Sequence, residues 1–108
     1  MPSKTTILAA VFASFALLST AIPVRAQTPA EFYKGQTVTI YVGLSVGGGY
    51  NLNARLVAKY LGKYIPGNPT VVVKNMPGGG GLVMTNFLAN AAPKNGLHIG
   101  APQRGVPF

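Results

Sequence analysis

The chain has no cysteine, one acid (Glu31) and one histidine (His98) among its 108 residues. Each shortage removes a class of chemistry. Without cysteine no disulfide braces a domain this small, which buries only a modest fraction of its surface. With one acid and one histidine, neither a carboxylate pair nor a cluster of metal ligands can be assembled. Ser45 has no recognisable histidine or acid partner, Glu31 falls in a lead-in segment and His98 falls inside a strand. These residues predict no enzyme acting by itself and no cofactor. The missing cysteines leave the compartment open, because many exported proteins do without them.

Charge of the other sign is plentiful. Nine Lys plus Arg give a formal net charge of +8. They are scattered, with no run of four, and the only regular set is Arg55, Lys59 and Lys63 at helical spacing. That pattern describes a solvated helix face rather than a nucleic-acid groove. At the N-terminus, Lys4 precedes an uncharged stretch from Thr5 to Pro23 with an apolar heart at Ile7 to Leu18, followed by Val24-Arg25-Ala26. This predicts a secretory signal peptide over 1–26, cleaved after Ala26, and a periplasmic protein of net charge +6. The rival reading is a membrane anchor, for which the apolar heart is short.

The remaining chain, 27–108, reads as one small α/β unit. Gln27 to Lys34 forms a lead-in, with Phe32 and Tyr33 available to pin it. Thr37 to Leu44 is rich in β-branched and aromatic residues and predicts a first strand, with Val38, Ile40 and Val42 on one face. A helix is expected from Leu52 to about Tyr64, capped by Asn51, with Leu52, Leu56, Val57, Tyr60, Leu61 and Tyr64 as its apolar stripe. Thr70 to Lys74 is a second strand. Leu82 to Asn90 or Ala92 is a second helix with no charge, expected to be covered on more than one side. Leu97 to Ala101 is a third strand after the turn Pro93-Lys94-Asn95-Gly96. Single helices between strands give a parallel βαβαβ unit, which places both glycine loops and the segment Pro102 to Gly105 at one carboxyl edge of the sheet.

The loops themselves are Gly47-Gly48-Gly49-Tyr50-Asn51 and Pro77-Gly78-Gly79-Gly80-Gly81. Glycine lets backbone approach a ligand, and a helix N-terminus adds unsatisfied NH groups and a positive partial charge. Two such loops at one edge predict an anion site, although glycine also permits a tight turn with no ligand. Nucleotide motifs fit poorly: Gly49 stands where a P-loop needs lysine, and Leu52 replaces the third glycine of a dinucleotide fingerprint.

Tyr41-Val42-Gly43 followed by Gly47-Gly48-Gly49-Tyr50-Asn51-Leu52-Asn53-Ala54-Arg55, then Val71-Val72-Val73-Lys74-Asn75-Met76-Pro77-Gly78-Gly79-Gly80, resembles the Bug-type substrate-binding proteins of tripartite tricarboxylate transporters. The turn Ala91-Ala92-Pro93-Lys94-Asn95-Gly96 is similar to that family as well. The resemblance implies an incomplete first lobe of a periplasmic binding protein type 2-like fold, with hinge and second lobe missing. It also implies capture of a small carboxylate by a monomer that hands it to membrane subunits. The implied ligand-binding residues are Ser45, Gly47, Gly48, Gly49, Tyr50, Asn51, Gly78, Gly79, Gly80 and Gln103. Family members usually carry Asp where this chain has Asn51, which still caps the helix but removes a negative charge. The competing readings are the first half of an α/β phosphate- or nucleotide-using enzyme, a basic module for membrane or nucleic acid, and a truncated product with no activity.

Overall fold

The computed structural model describes Met1 and residues 25–106. The signal-peptide expectation lies almost wholly outside them. Among the described residues no helix is long and apolar enough to cross a membrane.

The fold is mixed α/β around a three-stranded sheet. Its elements are α1 (Pro29–Tyr33), β1 (Thr37–Val42), α2 (Gly49–Tyr64), β2 (Thr70–Asn75), α3 (Leu82–Asn86) and β3 (His98–Ala101). A 3₁₀ turn, Gly79–Gly81, leads into α3, and a π turn, Phe87–Ala91, continues it. The strand order is β2-β1-β3 and every pairing is parallel, as the alternation of strands and helices predicts. Thr37 pairs with Thr70 and Val42 with Asn75 on one side, while Thr39 pairs with His98 and Val42 with Ala101 on the other.

Because β1 is central, both of its faces are covered. Every residue from Val38 to Val42 is buried, and Val42 has no exposure. On one face Ile40 and Val42 join Ala54 of α2, with Leu44, Tyr50, Ala58, Leu61, Val71, Val73 and Ala101 packed around them. On the other, Tyr41 lies 5.2 Å from the Phe87 ring and 5.9 Å from His98, centroid to centroid. Its hydroxyl is 3.3 Å from His98 Nδ1. The histidine is thus half-buried at the start of β3, at the sheet edge opposite the glycine loops.

Three expectations are corrected. The lead-in is a helix: Thr28 Oγ1 accepts from the Glu31 NH at 3.3 Å, Glu31 Oε2 accepts from the Thr28 NH at 2.9 Å, and Pro29 opens the first turn. This is a capping box with proline at the first helical position. It holds the Glu31 carboxyl below its usual range, chiefly through the Thr28 backbone NH.

The second correction concerns α2, which begins at Gly49, with Gly48 in extended conformation as its N-cap and no side-chain cap. Asn51 is therefore inside the helix. The side of α2 that meets the sheet carries Asn51, Ala54, Ala58 and Leu61, whereas Leu52 is 69% exposed, Tyr64 82% exposed, and Leu56, Val57 and Tyr60 are exposed too. Small residues let the helix approach the strands closely, and that close approach rather than hydrophobicity decides which face turns inward.

The third concerns the charge-free helix. Met84 and Ala92 are buried, but Leu82 and Val83 are exposed, so the described residues cover one side of it. Its π turn closes with the Ala92 NH on the Phe87 carbonyl at 2.8 Å. Lys94 Nζ then donates to the Leu88 and Ala89 carbonyls and takes up acceptors that the helix end leaves free.

Candidate functional site

The chain passes from β1 through α2 to β2 on one side and from β2 across to β3 on the other, so the strand order reverses at β1. Ligands in open α/β sheets sit beyond the carboxyl ends of the strands at such a reversal. Three loops meet there. Asn75 Nδ2, at the end of β2, donates to the Leu44 carbonyl at 2.8 Å, and the Met76 NH donates to the Val42 carbonyl at 2.8 Å. Gln103 Nε2, after β3, donates to the Gly80 carbonyl. The Arg104 NH donates to the Tyr50 hydroxyl at 3.2 Å.

The two glycine loops are built differently. At Gly47, Gly48 and Gly49 an added Cβ would meet nothing within 4 Å, and only Gly47, at φ +100°, needs glycine for its backbone. Gly48 and Gly49 leave open space that the fold itself does not use. Gly78, Gly79, Gly80 and Gly81 all have positive φ, at 141°, 53°, 64° and 98°. Their glycines are required by the turn into α3, whatever binds nearby.

The same contrast holds for the NH groups. Leu52 makes the first backbone bond of α2, to the Gly48 carbonyl at 3.0 Å. The NH groups of Gly49, Tyr50 and Asn51 therefore point out of the helix end without an intrahelical acceptor, and no side chain caps them. In the second loop the NH groups of Gly81 and Val83 donate to the Gly78 carbonyl at 3.0 and 3.4 Å, and that of Leu82 to Gly79. The unsatisfied backbone donors are thus concentrated at the start of α2. No acid stands in its first turn.

The predicted residues are placed as follows. Ser45, Gly47, Gly48 and Gly49 are exposed in the first loop, with Tyr50 half-buried behind them. Asn51 is buried, with Oδ1 unpartnered among the described residues. Gly78, Gly79 and Gly80 are exposed on the second loop, and half-buried Gln103 ties that loop to the segment after β3. Two participants escaped the sequence reading. Asn75 latches the second strand to the first loop, and Arg104 bonds Tyr50; a polar residue closing an apolar strand run was the signal for the first. Among the described residues no group of three or more His, Cys, Asp or Glu comes together.

Beside the site, between α2 and β3, lies an apolar groove of about 270 Å³ lined in part by Ile40, Val57 and Ile99. Its apolar lining suits it to packing rather than to holding an anion.

The Tyr50 hydroxyl is held below the usual phenol range, first by the Arg104 backbone NH and then by the Arg104 side chain. The sign follows from linkage. A lowered acid favours the fold above the unfolded phenol range, and that gain fades as pH falls through the folded value. An ultraviolet titration is expected to show a phenol ionising below the usual tyrosine range, and Tyr50→Phe to remove that step. A titration that Tyr50→Phe leaves unchanged at its low-pH end would mean that the Arg104 contact is not formed.

Comparison with protein-family models, characterised proteins and solved structures gives no significant match to this chain. What the site does is carried by its geometry.

Proposed function

We propose that the chain is the anion-gripping lobe of an extracytoplasmic solute-binding protein, which captures a small carboxylate for a tripartite tricarboxylate-type transporter. The observation that carries this is the trio of NH groups at Gly49, Tyr50 and Asn51 that have no intrahelical acceptor, beside the open space around Gly47 to Gly49 at the carboxyl edge of a parallel sheet. A carboxylate takes two or three such donors and is further drawn by the helix end. The absence of any acid in the first turn of α2 leaves that attraction unopposed.

Magnitude decides what else is needed. One helix end contributes about 0.3–2 kcal/mol, whereas micromolar affinity needs about 8 kcal/mol. The exposed first loop supplies one wall only. A second lobe closing over the ligand, in the manner of a type 2 periplasmic binding protein, supplies the rest in this reading. The protein works in the periplasm as a monomer, has no catalytic step and passes its ligand to membrane subunits.

Isothermal titration with citrate, succinate and inorganic phosphate tests it. Binding of the carboxylates ahead of phosphate is expected, with 1:1 stoichiometry and weak affinity for the lobe alone. Phosphate binding in preference to both carboxylates would favour a phosphate-using protein instead. Absence of carboxylate binding would overturn the reading.

A further inference from the structure

The outward side of α2 is used by neither the sheet nor the glycine loops. The helix turns Asn51, Ala54, Ala58 and Leu61 toward the strands, and its hydrophobic stripe is left facing water. Leu52, Leu56, Tyr60 and Tyr64 stand four residues apart and so fall on one row along the helix. They are 69%, 57%, 46% and 82% exposed. The row is about 18 Å long from the rise of an α-helix. Single exposed apolar side chains are ordinary, but an unbroken row of them forms a patch, and a patch marks a surface that meets something.

Charge constrains what it meets. Arg55, Lys59 and Lys63 form the adjoining row, also four residues apart, and all are exposed. No residue of α2 is acidic, and the chain's one acidic side chain, Glu31, is bonded to Thr28 at α1. The Lys59 and Lys63 ammonium groups lie 5.6 and 5.8 Å from the centre of the Tyr60 ring, so their charges stand beside the aromatic row rather than away from it. The same two lysines border an open cleft of about 290 Å³ against Asn68, Pro69 and Val71, which has room for a phosphate-sized group.

An apolar row flanked along its length by cations complements a surface that is apolar inside and anionic at its rim. A bilayer with acidic headgroups is such a surface: leucines enter the acyl boundary, tyrosines sit at headgroup level, and Lys and Arg stems reach the phosphates. A protein groove would need fixed carboxylates matched to each cation, whereas a fluid surface brings its anions to them.

We propose that α2 docks lengthwise on an anionic lipid surface, with Leu52 and Leu56 inserted, Tyr60 and Tyr64 at headgroup level, and Arg55, Lys59 and Lys63 on lipid phosphates. The proposal stands apart from the carboxylate reading, because it uses the outer face of α2 and not the loop at its start.

The chain has no cysteine, so a single introduced thiol reports on one face at a time. Asn53→Cys, exposed beside the outer row, and Val83→Cys, exposed on α3 across the sheet, each carry a polarity-sensitive fluorophore. The vesicles are equimolar phosphatidylglycerol and phosphatidylcholine at physiological salt. With them the label at residue 53 is expected to shift to the blue and become shielded from acrylamide, while the label at residue 83 stays accessible. Vesicles of phosphatidylcholine alone are expected to produce neither change. Replacing Arg55, Lys59 and Lys63 together by glutamine is expected to weaken binding to the mixed vesicles by about 100-fold, near fivefold for each charge. Leu52→Gln is expected to weaken it by about tenfold or more. These positions are exposed and glutamine is a good helix former, so the melting midpoints are expected to hold. Equal changes with both vesicle types would overturn the role of the cations, and equal shielding of the two labels would overturn the choice of face. Binding that Leu52→Gln leaves unchanged would reduce the contact to charge alone and overturn the docking. Inorganic phosphate that displaces the chain more than sodium chloride of equal ionic strength would assign the lysines to free phosphate instead of lipid. Adhesion to polyglutamate with none to the mixed vesicles would give the face to an acidic polypeptide and overturn the lipid surface.

Discussion

Met84→Ala is expected to lower stability by about 2–5 kcal/mol, the cost of a buried large-to-alanine change. Met84 is 1% exposed and anchors α3 to the sheet. Two glycines shape the space around it: a Cβ on Gly43 would lie 3.4 Å from its methyl, and one on Gly100 would lie 3.5 Å from its sulfur. The side chain is thus seated where β1 and β3 carry no side chain of their own. Removing it takes away the main buried contact of a helix whose Leu82 and Val83 are exposed. Urea denaturation monitored by circular dichroism measures the loss. Met84→Leu, which conserves volume, is expected to cost less than about 1.5 kcal/mol. Equal effects of the two substitutions would show that volume at this seat is not what holds α3.

Gly43→Ala is the second large effect, expected at about 1–3 kcal/mol from overpacking. Its backbone is not in the left-handed region, so conformation alone would accept alanine. Space would not: the new Cβ would stand 2.8 Å from the Gly81 Cα and 3.5 Å from the Gly81 carbonyl oxygen. These are backbone atoms and cannot rotate away. The end of β1 would have to move off the second loop, and the carboxyl edge would open. Gly49→Ala is the matched control. Its Cβ would meet nothing within 4 Å at a helical position, so stability should rise by about 0.4–1 kcal/mol. Parallel melting curves check both, and a Gly43→Ala midpoint equal to that of the native chain would deny the close contact between β1 and the second loop.

The order of strands and helices was legible in the sequence because β1 and β2 are short β-branched runs and β3 follows a Pro-Lys-Asn-Gly turn. Parallel pairing followed from connection length, and with it the meeting of the loops at one edge. What escaped has particular causes. The helix α1 is signalled by Thr28 and Glu31 at capping-box spacing, but its five residues are too few to show an apolar stripe. In α2 a run of three glycines gave no indication of which one ends the loop, and Asn51 was the obvious polar cap. The structure gives the cap to Gly48 and buries Asn51. The inward face of α2 was hidden for a different reason, since Ala54 and Ala58 carry little hydrophobic signal beside Leu52, Leu56 and Tyr60. Gly47 to Gly49 and Gly78 to Gly81 look alike in sequence. Only their backbone angles and the space around them separate glycines that leave a cradle open from glycines that a turn requires.

The central claim is that a carboxylate is held on the free NH groups at the start of α2. Nitrogen-15 correlation spectra recorded during titration with citrate, against a chloride control of equal ionic strength, test it most directly. Saturable shifts are predicted for the amides of Gly49, Tyr50 and Asn51, with smaller changes at Gly80 and Arg104 through the contacts that tie the loops together. Shifts that match the chloride control, or that fall instead on the Arg55, Lys59 and Lys63 face of α2, would contradict it.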